Sequence, residues 1–332
     1  MDGGRSGRES HAAAGDIEVL IYHPELAGEY AARIRQCEPG LRLAVCATPE
    51  EAARAVERAD IVFASVTFPT ALFARAKRLK WVQVMGAGVE RFVLAESALP
   101  PDVSLTRVVG SFGERMAEYV LAYMLAITQL TRRAMENQRA HRWEPFRPKY
   151  LRGLTLGVAG LGSVGRKVAE LAAAVGMRIV AFDLDLDRAR GCPAVAAAYG
   201  PGRLEAFCAA CDFLCLCLPV TERTVGLIGR DELRAMKRDA YIINIARGPL
   251  IRERELVEEL GRGTIAGAVL DVLCAEPPDP HDPLWDMAGA YLTPHSAGPS
   301  LPDEVLAVFF ANLDHWRAGQ SLLHVVDRER GF

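Results

Sequence analysis

Apolar and polar positions along the first third of the chain switch between two periods. Apolar runs at 17–22, 41–45, 61–64, 81–84 and 103–106 have the length of buried strands. The stretches 25–36 and 49–58 carry apolar residues at helical spacing, the second opening with Pro49, a residue suited to a first helical turn. Strands and helices in alternation predict a parallel sheet with helices on both faces. A longer helical pattern runs from 114 to 142, and its first part, 116–127, is apolar around most of its circumference. Such a helix is expected to be buried in a core or a subunit interface. The chain then turns polar over 132–149, the expected crossing between domains. Further apolar runs at 155–159, 178–182, 213–218, 240–244, 266–270 and 290–292 repeat the alternation, and a final helix is expected over 303–318.

Length and composition act mainly by exclusion. A chain of 332 residues exceeds what one core usually holds, so two domains are expected. The net charge of -3 gives no basic surplus to draw the protein onto nucleic acid or an anionic membrane. No apolar run approaches the roughly 20 residues of a bilayer span. Residues 1–15 are small and polar, without the apolar stretch of a secretion signal, and are expected to form a disordered tail. These features together predict a cytoplasmic protein. The eight cysteines are too sparse for a disulfide scaffold. Cys208 and Cys211 form a C-x-x-C that on paper suggests zinc. Cys215 and Cys217, however, alternate with leucines in an apolar run, where free cysteine behaves as a small hydrophobe. The structural reading is preferred, and no metal is expected.

One glycine pattern carries specific chemistry. Gly160-Leu-Gly162-Ser-Val-Gly165 follows the apolar run 154–159 and opens a helical pattern over 164–175. The next run ends in an acid, Asp183, 18 residues beyond Gly165. That spacing is the signature of a dinucleotide-binding βαβ unit. Gly160 would permit the tight turn, Gly162 the approach of backbone to pyrophosphate, and Gly165 the packing of helix on strand. The helix N-terminus would offer N–H groups to the phosphates. Asp183 can accept hydrogen bonds from ribose hydroxyls and would repel a 2′-phosphate, so NAD(H) is expected in preference to NADP(H). Arg188 and Arg190 are near, but no arginine follows Asp183 directly.

Three later segments each follow an expected strand: Asn244-Ile-Ala-Arg247, Asp271-Val-Leu-Cys-Ala-Glu276 and Thr293-Pro-His295-Ser-Ala-Gly298. Ligands of open α/β sheets bind at the carboxyl ends of strands, so Arg247, Glu276 and His295 are expected to converge. With Gly86-Ala-Gly-Val-Glu90, Met116-Ala-Glu-Tyr-Val120 and Leu218-Pro-Val-Thr221, these segments resemble the D-isomer-specific 2-hydroxyacid dehydrogenase family, which includes glyoxylate/hydroxypyruvate reductases and phosphoglycerate dehydrogenase. The resemblance spans about 61 to 298 and implies Arg247, Glu276 and His295 as a catalytic triad. The chemistry agrees. A 2-oxo acid carries a carboxylate beside its carbonyl, which a planar, permanently charged guanidinium can grip. A histidine can give a proton to the carbonyl oxygen as hydride reaches the carbon, and a glutamate can orient it.

What the resemblance implies goes further. The fold class is α/β, two Rossmann-like domains with parallel doubly wound sheets and the active site in the cleft between them. The substrate domain would comprise 16–112 with 299–332, and the NAD-binding domain 113–298. The cofactor candidates are Gly160, Gly162, Ser163, Val164, Gly165, Asp183, Pro219, Thr224, Ile245, Ala246, Asp271, Ala297 and Gly298. The backbone N–H groups of Ala87, Gly88 and Val89 would face the substrate carboxylate, as the family uses this loop; the plainer reading is a strand-to-helix turn. The substrate would be a small 2-oxo or 2-hydroxy acid and the assembly a homodimer, built through the NAD-binding domain. Trp143 would either help shape the substrate pocket, across the dimer interface, or simply pack the hinge or interface. An NAD-sensing regulatory protein of the corepressor kind shares fold and triad; formate dehydrogenase shares the fold. The chain shows no long low-complexity tail to favour the former, and the latter is expected to carry a longer N-terminal region.

Overall fold

The structure is a computed structural model that describes residues 17–93, 97–329 and 331. The tail expected over 1–15 lies outside the described residues. The chain divides into two compact units, one running to Val109 and resuming at Ser300, the other spanning Gly110–Pro299.

The first unit holds a five-stranded sheet of β1 (Glu18–Tyr22), β2 (Arg42–Cys46), β3 (Ile61–Ala64), β4 (Trp81–Val84) and β5 (Ser104–Thr106). All neighbours are parallel, in the order β2-β1-β3-β4-β5. The central strands β1, β3 and β4 are buried along their whole length, which is why they read as continuous apolar runs rather than alternating ones. The helix Pro49–Ala55 starts where the sequence predicts, because Thr48 and Glu51 form a capping box around Pro49.

The helix Pro302–Arg317 belongs to this unit. Its Phe309 ring stacks on Phe63 at 4.6 Å and on Trp81 at 5.5 Å between centroids. A buried polar chain pins it further. The Trp81 indole donates to Thr106 Oγ1 (2.7 Å), Thr106 donates to Gln83 Oε1 (2.8 Å), and Asn312 Nδ2 donates to the same oxygen (3.0 Å). Each buried polar group thereby finds a partner, as it must where water is excluded.

The second unit holds seven strands: β6 (Thr155–Ala159), β7 (Arg178–Phe182), β8 (Val195–Tyr199), β9 (Phe213–Leu216), β10 (Tyr241–Asn244), β11 (Gly267–Leu270) and β12 (Ala290–Leu292). Their order is β12-β11-β10-β9-β6-β7-β8, all parallel. Counted from β6, this is the doubly wound order of dinucleotide-binding sheets with one strand added. The direction of winding reverses between β6 and β9, and that reversal opens a crevice at the carboxyl ends of the strands. Both sheets are of the α/β, doubly wound class that the sequence predicts.

Two expectations need correction. The single helix expected over 114–142 is two helices, Gly113–Thr128 and Thr131–Arg139, separated at Leu130, whose φ is +54°. No glycine or proline marks the break. The Thr128 hydroxyl bonds back to the Met124 carbonyl at 2.8 Å, and beyond the turn Arg132 donates to the Ala290 carbonyl at 2.7 Å while lying over the Tyr291 ring. Tertiary contacts therefore decide the break. The second correction is β8, which the sequence reading omitted. Val-Ala-Ala-Ala-Tyr has little strand propensity, and edge pairing with β7 alone gives it its form.

Cys208, Cys211 and Cys215 lie in the core of this unit. The Cys211 thiol donates to the Phe207 carbonyl at 3.1 Å, and Cys215 and Cys217 place their sulfurs 3.7 Å apart. Burial pushes the Cys208 thiol up to about 12. Among the described residues no group of three or more His, Cys, Asp or Glu could hold a metal ion. No helix among them is long and apolar enough to cross a membrane.

Candidate active site

The turn between β6 and the helix Ser163–Ala174 has the conformation that its glycines require. Gly160 has φ +93°, and a Cβ there would meet the Cys217 carbonyl oxygen at 2.9 Å. At Gly165 a Cβ would lie 1.9 Å from the Gly160 carbonyl oxygen, so only glycine lets the helix close on the turn. Gly162 differs from both: a Cβ there would meet nothing within 4 Å. It is the N-cap residue, and no side chain caps the helix. The N–H groups at Ser163 and Val164 thus head a helix whose positive end opens at the sheet's crevice, an arrangement that fits an anionic pyrophosphate.

Asp183 follows β7 directly and is 2 % exposed. Its carboxylate accepts from the Leu161 N–H (2.8 Å), the Asp185 N–H (2.9 Å) and Arg188 Nη2 (2.6 Å). Burial alone would raise its pKa, but these two backbone donors and the Arg188 guanidinium outweigh it and hold the carboxyl below its ordinary value. With about four acceptor positions on a carboxylate, three are already in use. Pro219 and Thr224 bracket the turn after β9, on the far side of the crevice, where the Thr224 hydroxyl donates to the Pro219 carbonyl at 2.7 Å.

The three segments singled out in the sequence follow β10, β11 and β12, which are neighbours in the sheet. After β10, Asn244 braces the loop from both sides. Its side chain accepts from the Ala246 N–H (3.1 Å) and donates to the Arg247 carbonyl (2.8 Å). Ile245 is buried in the core. Arg247 has extended backbone, and its Nη1 donates to the Ala246 carbonyl at 2.6 Å.

After β11 and β12 the structure brings Glu276 and His295 together. His295 Nδ1 lies 2.9 Å from Glu276 Oε2, and Glu276 Oε1 accepts from the Leu273 N–H at 3.0 Å. The imidazole is thereby oriented with Nε2 on the opposite edge of the ring. His295 has φ +52°, a left-handed conformation that costs a residue with a Cβ about 1–2 kcal/mol. The surrounding loop holds it there. The His295 N–H donates to the Asp271 carbonyl at 2.9 Å. The buried Asp271 carboxylate accepts from the Thr293 hydroxyl (2.6 Å) and from the N–H groups of Ser296 (2.8 Å) and Ala297 (2.9 Å). Gly298 closes the loop against Met116, whose Cγ would lie 2.9 Å from any Cβ at that position.

Asp271 was a cofactor candidate in the sequence reading; in the structure its carboxylate faces the histidine loop. Tyr119, which donates or accepts at Thr293 Oγ1 across 2.6 Å, was quoted in the sequence without a role. Its position on a helix remote in sequence gave no signal. The loop Ala87–Val89 lies in the first unit, between β4 and the short helix Glu90–Val93. There Arg107 Nη1 donates to the Ala87 carbonyl at 3.2 Å, and the Val89 side chain is buried.

Residues 121–297 match the family model described as D-isomer specific 2-hydroxyacid dehydrogenase, NAD binding domain. The chain is 29 % identical over 324 residues to glyoxylate/hydroxypyruvate reductase A of Enterobacter sp. (strain 638), covering 95 % of this chain and all of that one. Its structure is similar to that of a D-isomer specific 2-hydroxyacid dehydrogenase family protein from Aeromonas salmonicida, with a TM-score of 0.86 and 28 % identity over 94 % of this chain and 99 % of that one. It is also similar to the NADPH-dependent glyoxylate/hydroxypyruvate reductase of Sinorhizobium meliloti in complex with NADP and sulfate, with a TM-score of 0.84 and 29 % identity over 95 % of this chain and all of that one. With the dinucleotide-binding sheet and its glycine turn, these matches establish that the chain is an oxidoreductase belonging to the D-isomer specific 2-hydroxyacid dehydrogenase family.

Proposed function

We propose that the protein is an NAD(H)-dependent reductase of small 2-oxo acids, of the glyoxylate/hydroxypyruvate type, that yields D-2-hydroxy acids. The observation that carries this reading is the His295–Glu276 pair at 2.9 Å, on loops beside that of Arg247 at the carboxyl ends of adjacent strands. Arg247 binds the substrate carboxylate and polarises the neighbouring carbonyl, each charge-assisted bond contributing about 1.5–3 kcal/mol. His295 Nε2 donates a proton to the carbonyl oxygen and recovers one from the hydroxyl in the reverse direction. Glu276 keeps the imidazole in the useful tautomer and stabilises its cation. The dinucleotide, when bound, supplies the hydride; the Gly160–Gly165 turn and the Ser163 helix end would hold its pyrophosphate. The eight free cysteines fit a reducing, cytoplasmic setting. NADH oxidation followed over glyoxylate, hydroxypyruvate, pyruvate, phenylpyruvate and 2-oxoisocaproate tests the reading. Glyoxylate and hydroxypyruvate are expected to turn over fastest, and no reduction of any of the five would overturn it.

Preference for NAD(H) rests on Asp183. Its carboxylate stands where the adenosine ribose of such cofactors lies, and a 2′-phosphate there meets a negative charge. Arg188 works against this, and it is already engaged with Asp183. The expected kcat/KM is about tenfold or more higher with NADH than with NADPH, a ratio that Asp183→Asn narrows. Equal or better use of NADPH, as in the Sinorhizobium relative, would show that Arg188 overrides the carboxylate.

A homodimer belongs to the same reading. Met135, Trp143, Tyr150 and Trp285 are exposed on the second unit, Trp143 at 98 %. Large apolar side chains left in water in this number favour a covering partner. Trp143→Ala is expected to weaken the dimer in sedimentation velocity. The ratio of kcat/KM between glyoxylate and phenylpyruvate should stay unchanged. A variant that remains dimeric with an altered ratio would assign Trp143 to the pocket instead.

A further inference from the structure

We infer that Tyr119 is a positioning residue for the acid/base histidine, acting through Thr293 and Asp271 to hold the 293–297 loop in the form that sets His295 against Glu276. The inference rests on the proposed role of His295.

The geometry orders the protons along this chain of groups. Thr293 Oγ1 lies 2.6 Å from Asp271 Oδ1, and the carboxylate can only accept, so the threonine hydroxyl spends its single proton there. Tyr119 Oη, 2.6 Å from the same Thr293 oxygen, must therefore donate to it. The direction is Tyr119 to Thr293 to Asp271. Asp271 then gathers the Ser296 and Ala297 N–H groups, while its own carbonyl takes the His295 N–H. The left-handed residue His295 sits at the centre of this wrap. Linked donors of this kind polarise one another and stiffen the loop more than isolated bonds would.

Tyr119 is suited to be a permanent donor. Burial, reinforced by the Asp271 charge, raises its pKa well above the ordinary tyrosine value, so the phenol keeps its proton wherever the enzyme works. Other titratable and charged groups packed near this chain are Tyr123 on the same helix, Tyr291 on β12 and Arg132 over the Tyr291 ring; Glu276 and Asp271 both bond to His295. Among these, Tyr119 alone is linked through Thr293 to the Asp271 carboxylate.

Four variants test this: Tyr119→Phe, Thr293→Val, Thr293→Ser and, as a control, His295→Asn. Each is assayed for 2-oxo acid reduction across pH, with NADH affinity and circular dichroism measured alongside. Tyr119→Phe and Thr293→Val are expected to lower kcat about tenfold with the fold retained, the cost of a slightly misplaced group. Because the loosened imidazole loses part of its support from Glu276, the alkaline limb of their kcat/KM profiles should move to lower pH. Thr293→Ser restores the hydroxyl and should restore both. An unmoved limb in Tyr119→Phe and Thr293→Val, with His295→Asn abolishing it, overturns the positioning role alone. A limb that persists in His295→Asn removes the acid/base assignment itself, and the inference with it.

Discussion

His295→Ala is expected to cut turnover by about 10²–10⁴ while NADH still binds, the usual loss when a positioned acid/base is removed. The dinucleotide turn lies on β6 and the histidine loop on β12, at opposite sides of β9, β10 and β11 in one sheet. The mutation should therefore spare cofactor affinity, measurable by quenching of protein fluorescence. Glu276→Gln should cost less, because an amide can still bond to Nδ1, yet it withdraws the negative charge that favours the imidazolium. In the reductive direction the protonated ring is the active form, so its loss appears as an alkaline limb displaced to lower pH. A His295→Ala protein within a factor of two of the wild-type rate would sink the assignment. An unchanged pH profile in Glu276→Gln would separate the two residues.

Gly165→Ala and Gly162→Ala should diverge sharply, though both add one methyl group to the same turn. At Gly165 the new carbon would stand 1.9 Å from a backbone oxygen, which no side-chain movement relieves. Helix and strand must part, and the second unit should lose about 2–3 kcal/mol or more of stability, the scale of severe overpacking. Gly162 has φ −71° and open space about it, so alanine there should leave the melting temperature within a few degrees of wild type. The methyl instead occupies the approach of a pyrophosphate, and the Kd for NADH is expected to rise about tenfold or more. Thermal melts and NADH titrations of the two variants check this. A stable Gly165→Ala protein, or a Gly162→Ala protein with undiminished affinity, would contradict the respective role.

The parts of this molecule that the sequence declared are those where one residue type has one physical reason. Continuous apolar runs gave the central strands nearly to the residue, because strands buried on both faces leave no room for polar side chains. Gly160 and Gly165 were legible because the turn tolerates no Cβ at either position. Glu276 and His295, 19 residues apart, were expected to converge because each follows a strand, while their 2.9 Å bond depends on loops that no periodicity describes. What stayed hidden was set by distant partners. The break at Leu130 answers to Arg132 reaching β12. Tyr119 looked like one more apolar residue of a buried helix, since its hydroxyl acquires meaning only beside Thr293, 174 positions later. The three donors that the structure gives the Asp183 carboxylate, two of them backbone N–H groups, were likewise not legible in the sequence.

The return of the helix Pro302–Arg317 to the first unit has a consequence for synthesis on the ribosome. The five strands of that unit emerge before the second unit, yet Phe63 and Trp81 lack the Phe309 ring that stacks on both until the second unit has been made. The second unit, by contrast, is one uninterrupted stretch, Gly110–Pro299, with all seven strands and their covering helices inside it. At about 5–20 residues per second, the nascent first unit waits some ten seconds or more with an aromatic face uncovered while the second is translated. The dinucleotide-binding unit is complete in synthesis before the unit whose strands precede it.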